Sequence, residues 1–116
     1  ASPAGLFTTS PHKRAAPMIR HIVFFSVKPG EDPETVHDGL SLLTRNPHCL
    51  RLEIGRNQKT DAIAGGEGPD FVVYGEFKDE AQLAAYKAHP LYQQAIDVVR
   101  PLRDMRIAAD FVSPTA

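Results

Sequence analysis

Three side chains in this sequence have the chemistry to move a proton together. His21 sits in the apolar run Ile19-Arg20-His21-Ile22-Val23-Phe24-Phe25, and Tyr86 and His89 stand three apart in Tyr86-Lys87-Ala88-His89-Pro90. An imidazole titrating near about 6.5 can take a proton at neutral pH, whereas a phenol near about 10 mostly donates one. Two imidazoles and a phenol around an apolar wall could hold a carbonyl oxygen and transfer a proton. Val23, Phe25, Tyr74 and Tyr92 are further candidates for the walls of such a pocket. Each polar member also has a plain structural use. His21 could be a core histidine bonded to a neighbour, and His89 could tie the helix break that Pro90 imposes. Tyr86 could be a core aromatic with its hydroxyl at a rim. A buried imidazole needs a partner in any case, because leaving one unsatisfied costs about 1–3 kcal/mol.

Other chemistries find little support. Cys49 is the lone cysteine, which excludes an internal disulfide and a zinc cluster of paired cysteines. No basic neighbour is evident to activate its thiol, so it reads as a small packed residue. His21 and His89 come from different elements without a suitably placed carboxylate motif, so no metal is expected, and no cofactor. Gly65-Gly66-Glu67-Gly68-Pro69 lacks the Gly-Lys-Ser/Thr of a phosphate loop and reads as a flexible connection. Ser26 lacks the context of a nucleophile elbow.

Composition narrows the class. The 116 residues are one domain's worth, 42% hydrophobic and 23% charged, with a net charge of −1. Mixed charges without a basic cluster argue against nucleic acid as partner. No apolar run approaches the ~20 residues that span a bilayer, so no membrane partner is expected. A reducing cytoplasm is the expected compartment.

The elements that would position these residues follow from pattern. Residues 1–17 carry prolines, hydroxyls and no acid, and read as a flexible tail or as sequence ahead of a start at Met18. An organelle-targeting remnant is the sharper alternative. Ile19 to Lys28 predicts a strand whose one face holds Ile19, His21, Val23, Phe25 and Val27. Its other face, with Ile22 and Phe24, is also substantially apolar. Asp32-Pro33-Glu34 starts a helix that runs to about Arg45. Leu50 to Ile54 alternates as a second strand, and Asp70 to Lys78 as a third, with Val72, Tyr74 and Glu76 opposite Phe71, Val73, Gly75 and Phe77. Asp79 caps a helix with Gln82 at the capping-box position. His89-Pro90 interrupts it and begins another that reaches Pro101. Met105 to Val112 is the fourth strand. Residues 18–112 thus form one α+β domain of β-α-β-β-α-β order, and 113–116 a C-terminal tail.

Such an order makes a four-stranded antiparallel sheet with helices on one face. The open face would carry Ile22, Phe24 and Val72 or Tyr74, and an apolar face of that size marks a partner surface. The simplest partner is the same face of a second copy, giving a homodimer.

Several segments resemble the stress-responsive A/B barrel (Dabb) family: Met18 to Phe25, Val27-Lys28-Pro29-Gly30, Gly55-Arg56-Asn57, Tyr86-Lys87-Ala88-His89-Pro90 and the closing Asp110-Phe111. The likeness covers about Met18 to Val112. It implies a ferredoxin-like protomer whose sheet faces that of its partner in a dimeric α/β barrel. A plant polyketide-cyclase branch of that family uses a tyrosine and a histidine of a Tyr-x-x-His-Pro-x-His segment. Tyr86 matches the tyrosine and His89 the histidine before proline, but Tyr92 stands where the branch has its catalytic histidine. The cyclase assignment therefore does not transfer. The resulting expectation is a homodimer with a pocket between sheet and helices for a small apolar or aromatic ligand, its reaction unassigned. The alternatives are a non-enzymatic, stress-associated protein selected for stable assembly, and a cofactor-free cyclase or oxygenase acting on a phenolic or polyketide-like ligand.

Overall fold

The computed structural model describes residues 18–114. The expected N-terminal tail, 1–17, lies outside them. Strand β1 (Ile19–Val27) is built from β-branched and aromatic residues, and it buries Ile19, His21, Val23 and Phe25 on one face. Helix α1 (Pro33–Ser41) starts where the Asp32 carboxylate accepts the Glu34 N–H at 3.0 Å, and it tightens into a 3-10 turn over Leu42–Arg45. Strand β2 (Arg51–Arg56) and strand β3 (Phe71–Phe77) follow. Helix α2 (Glu80–Ala88) has reciprocal capping: Asp79 accepts from the Gln82 N–H at 2.8 Å, and the Gln82 side chain accepts from the Lys78 N–H at 2.6 Å. Helix α3 (Pro90–Val99) leads into strand β4 (Arg103–Val112).

The strands lie in the order β2-β3-β1-β4, every pair antiparallel. With the helices on one face, this is the ferredoxin-like βαββαβ arrangement. Val73 and Phe77 from the sheet meet Val36, Leu40, Leu83 and Tyr86 from the helices in one apolar core. Two glycines permit close approach. A Cβ on Gly39 of α1 would lie 2.7 Å from a Val98 methyl on α3, and one on Gly75 would lie 2.8 Å from the Phe77 ring.

Among the described residues nothing covers the opposite sheet face. Ile22, Phe24, Val72 and Tyr74 are half-buried there, while Ile107 and Phe111 are 55% and 45% exposed. Among the described residues no helix is long and apolar enough to cross a membrane.

Strand ends shift by one or two residues from the sequence expectation, and two differences bear on the site and the termini. β4 begins at Arg103 rather than Met105, because the ladder shifts register between Phe25 and Val27 and an extra residue of β4 is accommodated. A bulge breaks the period-2 pattern on which the reading relied. Ser113, expected to open the C-terminal tail, is buried, and its N–H donates to the Met18 carbonyl at 2.8 Å.

Candidate functional site

The sheet and the helices flank a cavity that is partly open to solvent. His21, Val23, Phe25 and Val73 form its floor. Leu40, Leu43, Tyr86, Tyr92, Ala95, Ile96 and Val99 form the roof, and Arg103 and Arg106 of β4 complete the wall. The cavity volume is only about 30 Å³. That is room for about two waters, since one needs roughly 10–15 Å³ by this measure.

Of the expected polar residues, His21 and Tyr86 meet here. His21 is 2% exposed, and its Nδ1 lies 2.5 Å from a carboxylate oxygen of Asp110. A carboxylate accepts only, so Nδ1 carries the proton and Nε2 keeps its lone pair. Burial pulls the His21 pKa below the ordinary imidazole value, opposed by the Asp110 hydrogen bond and charge, and Lys87 and Arg106 push the same way as burial. The ring is therefore neutral at pH 7. Tyr86 is 1% exposed, and burial raises its phenol far above the ordinary value. It stays protonated and can only donate a proton or accept a hydrogen bond at its lone pairs.

Both residues line the cavity, and each keeps one side-chain polar atom without a protein partner among the described residues. No buried side-chain nitrogen or oxygen among the described residues lacks a partner, yet neither His21 Nε2 nor the Tyr86 hydroxyl bonds to protein. Each atom therefore keeps contact with accessible space, and the cavity that both residues line is the space beside them. The Tyr86 ring is fixed by Phe77 at 4.9 Å, Tyr92 at 5.3 Å and His21 at 6.2 Å between centroids. Its backbone is held by buried Asn46, whose side-chain amide donates to the Tyr86 carbonyl at 2.9 Å.

Val23, Phe25 and Tyr92 also line the cavity, but His89 and Tyr74 do not. Preceding Pro90, His89 takes an extended conformation (φ −72°, ψ 143°) and leaves the helical face that carries Tyr86. Its Nδ1 instead accepts the Leu91 N–H at 3.1 Å, capping α3, and its ring stands 5.7 Å from His48. Tyr74 falls on the open sheet face, since strand alternation sets it opposite Val73. There its hydroxyl donates to Glu76 at 2.6 Å and accepts from Arg20. Cys49 donates weakly to the Asn46 carbonyl at 3.4 Å, and burial pushes its thiol pKa up. Among the described residues no group of three His, Cys, Asp or Glu side chains is placed to hold a metal ion.

Asp110, Asn46, Arg103 and Arg106 were not singled out by sequence. Asp110 stood only in the closing Asp110-Phe111 pair, and its role depends on the β1–β4 register, which brings it opposite His21.

The Stress responsive A/B Barrel Domain family model matches residues 19–113. The chain belongs to the Dabb family. Its fold is shared with a dimeric ferredoxin-like protein of unknown function from Thermobifida fusca, at 23% identity and a TM-score of 0.72 over 85% of this chain and 93% of that one. A Dabb family protein with a ferredoxin-like fold from Mesorhizobium loti gives 22% identity and a TM-score of 0.67, over 84% and 97% of the two chains. A dimeric protein of unknown function and ferredoxin-like fold from Bacteroides fragilis gives 19% and 0.66, over 83% and 96%. No curated protein matches the sequence. The Dabb cavity thus sits on a widely shared scaffold, and its chemistry rests on its own residues.

Proposed function

We propose that this Dabb protein is a homodimer whose cavity, widening at its open side from its present room for about two waters, binds a small, largely apolar ligand bearing a carbonyl or phenol, and that the cavity can pass a proton to or from it. The observation that carries the reading is the pairing of an imidazole lone pair at His21 with a phenolic donor at Tyr86, both residues buried and both lining one apolar space. Asp110 fixes the tautomer that turns the lone pair inward. Tyr86 would donate to a ligand oxygen while His21 takes a proton, a division of labour that needs no cofactor. Dimerisation is supported by the uncovered apolar sheet face and by the dimeric proteins of like fold.

The test is an NMR titration of the full chain with the neutral ketone para-hydroxyacetophenone. Saturable shifts at His21, Tyr86 and Tyr92 are expected, with affinity reduced on the order of tenfold in Tyr86→Phe and in His21→Gln. Shifts scattered over the surface would leave a protein whose role is assembly alone, and equal binding by both variants would take His21 and Tyr86 out of the binding site.

A further inference from the structure

Arg103 and Arg106 stand three apart on a strand, a spacing that in regular β structure turns two side chains to opposite faces. Here both line the cavity. The ladder explains it: Arg106 pairs with Phe25 and Arg103 with Val27, so three steps of β4 answer two of β1. The Met105 N–H released by this bulge donates to the Ser26 hydroxyl at 3.0 Å. Bulges that re-aim a side chain are common beside functional sites.

Neither guanidinium has an ion-pair or hydrogen-bond partner among the described residues. Asp104, between them in sequence, pairs with neither, and Asp110 is taken by His21. Of the other described arginines, Arg20 pairs with Glu76, Arg51 with Glu53 and Arg56 with Glu34, while Arg45 and Arg100 form no ion pair among the described residues. Arg103 is partly buried beside the positive charges of Arg106 and Arg100, and together these hold its pKa below the ordinary value. The Arg106 charge also reaches inward, lowering the pKa of both His21 and Tyr86. Exposed Arg106 and half-buried Arg103 thus mark the outer part of a cavity whose inner part holds the two nearly inaccessible residues.

We propose that Arg103 and Arg106 form an anion site at the cavity mouth, so that the ligand is a small apolar acid whose carboxylate they hold. Its carbonyl or phenol end then points to His21 and Tyr86. This rests on the reading of the cavity as a ligand pocket and adds the ligand's charge and orientation. A planar guanidinium matches a carboxylate with two parallel hydrogen bonds, and low-dielectric walls strengthen the attraction.

The experiment is a pair of NMR titrations with para-hydroxybenzoate and its neutral isostere para-hydroxybenzamide. They are run on the full chain, on Arg103→Met/Arg106→Met, and on Arg106→Gln, whose exposed site safeguards folding. The acid should bind on the order of tenfold tighter than the amide, and the preference should vanish in the double variant and shrink in Arg106→Gln. Equal binding of acid and amide, both weakened by Tyr86→Phe, would overturn the anion site and leave the pocket standing. Binding of neither would remove the pocket reading and this one with it. Loss of dimer mass in the arginine variants with acid preference intact would assign the arginines to the interface instead.

Discussion

His21 and Asp110 face each other across the β1–β4 ladder, 89 positions apart in sequence, with Nδ1 and carboxylate oxygen separated by 2.5 Å. Asp110→Asn tests what the carboxylate does. An amide can donate as well as accept, so it would let the proton move from Nδ1 to Nε2 and turn a donor into the cavity. Nitrogen NMR of the imidazole should show Nε2 changing from the unprotonated to the protonated type, with the chain still folded. Asp110→Ala instead strands a buried donor and should cost about 1–3 kcal/mol in denaturant unfolding.

The depressed His21 pKa also predicts how stability changes with pH. The folded state holds this imidazole neutral at pH values where the unfolded chain, titrating near about 6.5, already binds a proton. More protons in the unfolded state mean that stability rises with pH, so this contribution is lost as pH falls below about 6.5. Around the ring, Asp110 favours the proton while burial, Lys87 and Arg106 oppose it. Thermal unfolding at stepped pH should lose stability across that window in the native chain and lose less in His21→Gln. Equal slopes would show that His21 is not the group responsible.

Period-2 alternation was enough to read which face of β1 meets the helices, and hence that His21, Val23 and Phe25 belong together. It could not give register, and register is what sets Asp110 beside His21. Nor could it survive a bulge, which changes the parity of Arg103 relative to Arg106 and hid both from the reading. Tyr86 was legible because Leu83 and Tyr86 share a helical face. His89, three residues on, was misplaced because Pro90 alters the backbone before it and turns its ring into a cap. Asn46 carried no periodic signal at all, since it acts from a connection.

Gly39 governs how closely α1 and α3 pack over the cavity. A methyl at this position would meet Val98 at 2.7 Å and Val99 at 3.0 Å. Gly39→Ala gains helix propensity, but crowding in a packed interior costs about 1–3 kcal/mol and should win. The variant should melt earlier, and because Val99 lines the cavity, shifts in the Tyr92 and Ala95 resonances should accompany the loss. A more stable Gly39→Ala would mean that α3 yields freely.

The open sheet face makes the last prediction. Phe24 stands between Val72 and Ile107 at the centre of an apolar area, while Arg20, Tyr74 and Glu76 bond to one another beside it. If two copies meet there, light scattering on a size-exclusion peak should give about twice 12.7 kDa. Phe24→Asp would bury a carboxylate without a partner, so it should shift the peak to monomer at micromolar concentration, while Phe24→Leu should keep the dimer. The polar trio is self-satisfied within one protomer, so Tyr74→Phe should weaken assembly less than Phe24→Asp does. A Phe24→Asp protein that remains a stable dimer would place the interface on a different surface, with the exposed β4 edge the next to test.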